Sequence, residues 1–102
     1  MHQTGFALGH DGFWHAPPMD PSDILDHTVD LTDVLGADTL QEVEWVATNI
    51  SINEPLNSFT AKTATVWLQN GVNRKVASVT GTFRTTGGRT VERTFKIAVS
   101  DL

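Results

Sequence analysis

The 102-residue sequence contains neither cysteine nor tyrosine. Without cysteine there is no disulfide, no thiolate nucleophile and no cysteine zinc site. No apolar run approaches the roughly 18 residues of a membrane-spanning helix, and no basic-then-apolar segment opens the chain. Charged residues are sparse at 19 %, with a net charge of −5. Phosphate contacts need a basic surface, so neither nucleic acid nor membrane is an expected partner. Disorder is not expected either, because 39 % hydrophobic residues is the content of an ordinary globular chain. The length suits one domain with a modest core.

Basic residues are missing from the whole first part of the chain. Before Lys62 there are ten acids and no base, a net −10; from Lys62 onward seven bases stand against two acids, a net +5. The halves either pair within the molecule or form opposite faces, which would suit head-to-tail packing in a ring. Intramolecular pairing is the simpler reading, since surface ion pairs contribute little, and the ring stays open.

Residues 1–19, MHQTGFALGHDGFWHAPPM, keep neither a helical nor a two-residue period. They are expected to form an irregular N-terminal arm ahead of a domain over residues 20–102. Phe6, Leu8, Phe13 and Trp14 are costly to leave in water at about 25 cal/mol per Å², so an ordered arm docks on its own domain or on a neighbour, with the neighbour favoured. After the Asp20–Asp23 turn, alternation puts Leu25, His27, Val29 and Leu31 on one face and Asp26, Thr28 and Asp30 on the other. Thr32–Gly36 suits a short helical turn ended by glycine. A second strand is expected within Leu40–Ile52, with Val43, Trp45 and Ala47 inward and Glu42 and Glu44 outward. A loop follows over residues 53–58, then a strand over 63–69 with Ala64, Val66 and Leu68 on one face. Val76–Thr85 and Arg89–Val99, joined across Thr86-Gly87-Gly88, predict a hairpin, with Gly81 marking a bulge. Short strands at regular spacing without a long helix make an all-β sandwich.

No catalytic pattern emerges. Asp20, Asp23, Asp26, Asp30 and Asp33 lack the ligand spacing of a calcium loop and suit caps and solvated faces. The four histidines show no paired metal spacing, the serines no nucleophile elbow, and Gly87-Gly88 joins strands rather than opening a helix. His27 is expected as an inward core or interface histidine. Neither cofactor nor metal site is expected, and the protein is expected not to be an enzyme. The candidate interface residues are Phe6, Phe13 and Trp14 in the arm, Trp67, which shares the outward parity of Thr63, Thr65 and Gln69, and Arg84, Arg89 and Arg93 on the last strands. Arg93 shares the parity of Val91 and Phe95. It is therefore expected near a sheet end, paired with Asp26, Asp30 or Glu92, or covered by a neighbouring subunit.

Two blocks carry a family resemblance. Asp20-Pro21-Ser22-Asp23-Ile24-Leu25-Asp26-His27-Thr28-Val29-Asp30-Leu31, continuing to Leu35-Gly36-Ala37-Asp38-Thr39-Leu40, resembles the opening DPDDVLDYxxDW…LGxDTI of small tailed-phage proteins. Ala64-Thr65-Val66-Trp67-Leu68 and the run from Val79 to Phe95, VTGTFRTTGGRTVERTF, resemble their close, ATVWLSGG…VTxxxTTxxGRxxERSF. The order and spacing of both blocks agree over about residues 20–99, and the chain resembles the phage fiber-tail adaptor proteins. His27 and Leu31 stand where that family often has Tyr and Trp, and no aromatic lies near Ala77 to serve as a tyrosine corner.

The resemblance implies an immunoglobulin-like β-sandwich built into the neck or short tail of a virion in several copies, assembled in the host cytoplasm. Its implied partners are tail, neck or portal-adaptor proteins and the tail fibre, held around a symmetric ring. The alternative is a capsid decoration or carbohydrate-adhering immunoglobulin-like module.

Overall fold

Where apolar and polar residues alternate, the chain is extended. The structure, a computed structural model, describes residues 7–8 and 13–101. Its elements are β1 (Ala7–Leu8), β2 (Trp14–His15), β3 (Leu25–Asp30), a single helical turn α1 (Thr32–Leu35), β4 (Leu40–Thr48), β5 (Ser51–Ile52), a 3-10 turn over Glu54–Leu56, β6 (Ser58–Phe59), β7 (Thr63–Gln69), β8 (Lys75–Thr85) and β9 (Thr90–Val99).

These make an all-β sandwich. One sheet has the order β1-β2-β9-β8-β4 and the other β3-β7-β5, with β6 also on β7. Because β3 takes one edge of β7 from Thr63 to Leu68, β5 and β6 share the other edge. With β3, β4, β7, β8 and β9 as strands B, C, E, F and G, the sheets contain B–E and C–F–G, an order consistent with an immunoglobulin-like sandwich.

One apolar layer lies between the sheets. Val29, Leu31, Val66 and Leu68 from one sheet meet Val79, Phe83, Phe95, Ile97 and Val99 from the other, all essentially inaccessible to water. The inward parity expected for β4, β7, β8 and β9 holds. The β8–β9 register sets Val79 opposite Phe95 and Phe83 opposite Val91. His27 is buried, its ring 5.7 Å from that of Phe95. Leu25 departs from expectation: it is 41 % exposed, being the first residue of an edge strand.

Two other expectations are corrected. Gly81 marks no bulge; the β4–β8 register breaks between Leu40 and Glu42, and Gly81 stays paired with Trp45 and Arg93. Its role is to leave room. A Cβ there would lie 2.4 Å from Phe83 Cζ and 2.8 Å from Trp45 Cζ3, two rings packed edge to face with centroids 5.5 Å apart. The strand expected within Leu40–Ile52 is β4, and the end of that segment forms β5 in the other sheet, because Asn49 takes a left-handed φ of 64° and turns the chain across the sandwich.

The second correction concerns the arm. Residues 14–19 lie on the chain's own domain rather than on a neighbour, running parallel along β9. The Ala16 N–H donates to the Lys96 carbonyl (2.8 Å), that of Met19 to the Ala98 carbonyl (3.0 Å), and that of Ser100 back to the Met19 carbonyl (3.0 Å). Met19 is fully buried and Trp14 packs against the core. Apolar side chains that would be costly in water thereby cover the β9 edge.

Gly81→Ala is expected to destabilise the protein by about 1–3 kcal/mol, the usual cost of overpacking a filled core. Denaturant unfolding monitored by tryptophan fluorescence measures it. A neutral substitution would show that the Trp45–Phe83 contact does not depend on the missing side chain.

Candidate interaction surfaces

Most of the basic side chains singled out from the sequence are occupied inside the molecule. Arg84, on the outer face of β8, donates through one terminal nitrogen to Glu42 (2.6 Å) and Glu44 (2.7 Å) of β4. Arg89 donates to Asp38 (3.1 Å) and to the Leu35 carbonyl (2.9 Å). Lys62 donates to the Gly36 carbonyl. These contacts join bases of the second part of the chain to acids and helix-end carbonyls of the first. Arg93 keeps the inward parity expected of it and is half-buried. Its guanidinium reaches the Glu92 main-chain carbonyl (2.8 Å) rather than a carboxylate.

Asp38 organises one end of the sandwich. Its Oδ1 accepts from the N–H groups of Thr39 (2.9 Å) and Gly87 (3.0 Å) and from the Thr86 hydroxyl (3.2 Å), while Oδ2 accepts from Arg89. Gly87 belongs here for want of a Cβ, which would sit 2.8 Å from Asp38 Oδ2. The Thr85 hydroxyl, with Arg89 and the N–H groups of Thr39 and Gly87, holds the Asp38 carboxyl well below the usual carboxylate range. The loop entering β4 is thus tied to the β8–β9 turn. No sequence spacing announces this contact, because Asp38 and Gly87 are 49 residues apart.

The aromatic candidates divide. Phe6 lies outside the described residues. Phe13 is 40 % exposed, with Lys96 Nζ 4.2 Å from its ring centroid. Trp67 faces outward from β7 opposite Asp26 and is half-buried. Its main chain is held where β7 lacks a neighbouring strand between β5 and β6: the N–H donates to Asn57 Oδ1 (2.7 Å) and the carbonyl accepts from the Asn53 N–H (2.9 Å). Among the acids, Asp20, Asp23 and Asp30 accept backbone N–H groups in turns, in keeping with capping.

The two long sides of the sandwich differ. Residues 14–19 close the side at β9. On the opposite side β4 pairs only with β8 among the described residues, and an open cleft of about 490 Å³ runs beside it. Val43, Glu44 and Trp45 form one wall; Glu54, Asn57, Ser58 and Phe59 form the other. Phe59, on that second wall, is 44 % exposed. Sequence reasoning passed over Phe59, because a strand of two residues is too short for a periodicity to mark it.

From Met19, the first fully buried residue among those described, to the end of β9, the chain is one continuous sandwich. A family profile for the podophage GP4 fiber-tail adaptor protein gp77 matches residues 19–98, almost the same span. The chain belongs to that family. The adaptor is a structural component of a phage tail, located in the virion. No curated protein matches the sequence. The matched span contains both walls of the cleft and the Asp38 clamp, and excludes Phe6, Phe13 and Trp14.

Acid is expected to weaken the adaptor in two separate windows. Burial lowers the His27 pKa below its ordinary 6.5, against an opposing pull from Asp26. The unfolded chain then binds the proton more readily, so stability falls as the pH drops below about 6.5 and levels off once folded His27 is also protonated. Asp38 is shifted below its ordinary 3.8, so its contribution is present above that value and is lost as the pH falls further. Melting temperature against pH measures both. His27→Gln should remove the first limb. Asp38→Asn should remove the second and lower the melting temperature at neutral pH. A flat profile from pH 7 to 5 in the unsubstituted protein would contradict the first assignment.

Proposed function

We propose that this adaptor sits at the neck or tail of the virion and links a portal-adaptor or tail protein to the tail fibres, with several copies arranged in a symmetric ring. Membership of the fiber-tail adaptor family over nearly the whole sandwich carries this reading. It works by binding, without chemistry: many modest contacts repeated around a ring become strong through avidity. Residues 14–19 line the β9 edge of the chain's own sandwich, and residues 20–102 form the sandwich that presents its edges and faces to partners. Of the candidate contacts, Phe13 and the outward Trp67 fit this role better than Arg84 and Arg89, whose guanidinium groups are committed to their own chain.

The carbohydrate-adhering alternative has less behind it, because Trp67 is half-buried beside residues of its own chain rather than displayed as an open platform. Sedimentation of purified particles and immunogold labelling test the proposal. The protein is expected to travel with tail, portal or fibre proteins and the label to fall on the tail. Labelling confined to the capsid shell, with no such co-sedimentation, would overturn it. Glycan binding lost on Trp67→Ala would promote the alternative.

A further inference from the structure

We propose that the free edge of β4, with the cleft beside it, receives an extended basic segment of a different virion protein as an added strand. This rests on the adaptor reading and deepens it by naming the surface and the chemistry of its partner. Three observations converge. β4 is nine residues long, contains no proline, and has an unpaired edge among the described residues. Its register irregularity is confined to Leu40–Glu42, so the strand from Val43 to Thr48 is regular and able to pair. A long, open edge is a ready template for another strand.

The second observation is the floor. Strand addition takes affinity from main-chain hydrogen bonds and specificity from pockets that accept alternate side chains. Trp45, almost wholly buried, and the half-buried Val43 close the core beneath the cleft, and Phe59 stands across from them. An inward side chain of the added strand would meet apolar surface there, with Asn57 and Ser58 as polar neighbours.

Charge decides the occupant. Among the described residues Glu42 and Glu44 on β4 share one partner, Arg84, and Glu54 on the facing wall makes no ion pair. An incoming strand bearing Lys or Arg is attracted. A second copy is disfavoured. Its own open edges among the described residues include β4, with Glu42 and Glu44, and β3, with Asp26 and Asp30, and like charges brought together cost binding energy. The unguarded edge therefore selects against the chain itself and for a basic, partly apolar segment of another protein.

The test uses the full chain and two nine-residue probes matched to β4, one alternating lysine with valine and the other glutamate with valine. The basic peptide is expected to shift the Gln41–Thr48 amide resonances and slow their hydrogen exchange, and the acidic peptide to leave them unchanged. Glu54→Lys and Phe59→Ser, both on the wall facing β4, should weaken the basic peptide by about tenfold or more while the far-ultraviolet spectrum stays β-type. Equal binding of the two peptides, shifts centred on β3, or self-association through this edge would overturn the proposal.

In assembled particles, a photo-crosslinking Phe59→p-benzoylphenylalanine variant should capture a Lys- or Arg-bearing extended segment of another virion protein. Capture of a second copy, or no capture although the chain is present in the tail, would overturn the proposal. If the chain is missing from tails, the adaptor reading falls, and the peptide titration decides the β4 assignment by itself.

Discussion

The hydrogen bonds that residues 16–19 make along β9 determine what the rest of the sandwich can be. Main-chain N–H and C=O groups at a sheet edge remain available to any other strand unless something pairs or covers them. Here the chain covers the β9 edge with its own leading segment, and Met19 fills the core on that side. The sheet is then finished at one margin and unfinished at the other, where β4 borders the cleft. A strand partner is thereby directed to one long side.

Polar contacts at the end of the sandwich keep that asymmetry in place. Asp38, Arg89 and Lys62 tie the α1–β4 connection to the β8–β9 turn and to the start of β7. The Leu31 N–H donates to the Lys62 carbonyl and the Leu40 N–H to that of Ala61. The chain thus enters β4 from a fixed point, and Asn49 sends it across to the other sheet at the far end. Between those points β4 lies against β8, with Trp45 and Phe83 meeting over Gly81. The uneven charge of the chain is partly absorbed in the process, since Arg84 and Arg89 find acids of the first part. Around the cleft the glutamates outnumber the one guanidinium that meets them.

Much of this architecture was legible in the residues. β7 was recognisable because Ala64, Val66 and Leu68 alternate with polar positions, and the β8–β9 hairpin because two Thr-rich apolar runs flank Gly87-Gly88. The outward acids of β3 and the short turn ended by Gly36 followed the same local rules. The misread positions were those where a local signal had a nonlocal cause. Gly81 looked like a bulge because a glycine interrupts a strand, yet it makes room for two rings from separate strands. Arg93 was expected on a carboxylate, and a nearer main-chain carbonyl takes it. The arm has no period because it pairs through main-chain groups rather than through a patterned face.

The sequence by itself determined which residues face inward along each strand and which family the chain resembles, because a two-residue period and a motif in register are properties of neighbouring residues. Only the tertiary structure decided which edges are sealed, how Asp38 reaches a turn 49 residues away, and that Trp45, Phe59 and Glu54 share a cleft. Those outcomes depend on how two sheets stack and where their margins fall, and stacking brings together side chains whose separation along the chain carries no signal.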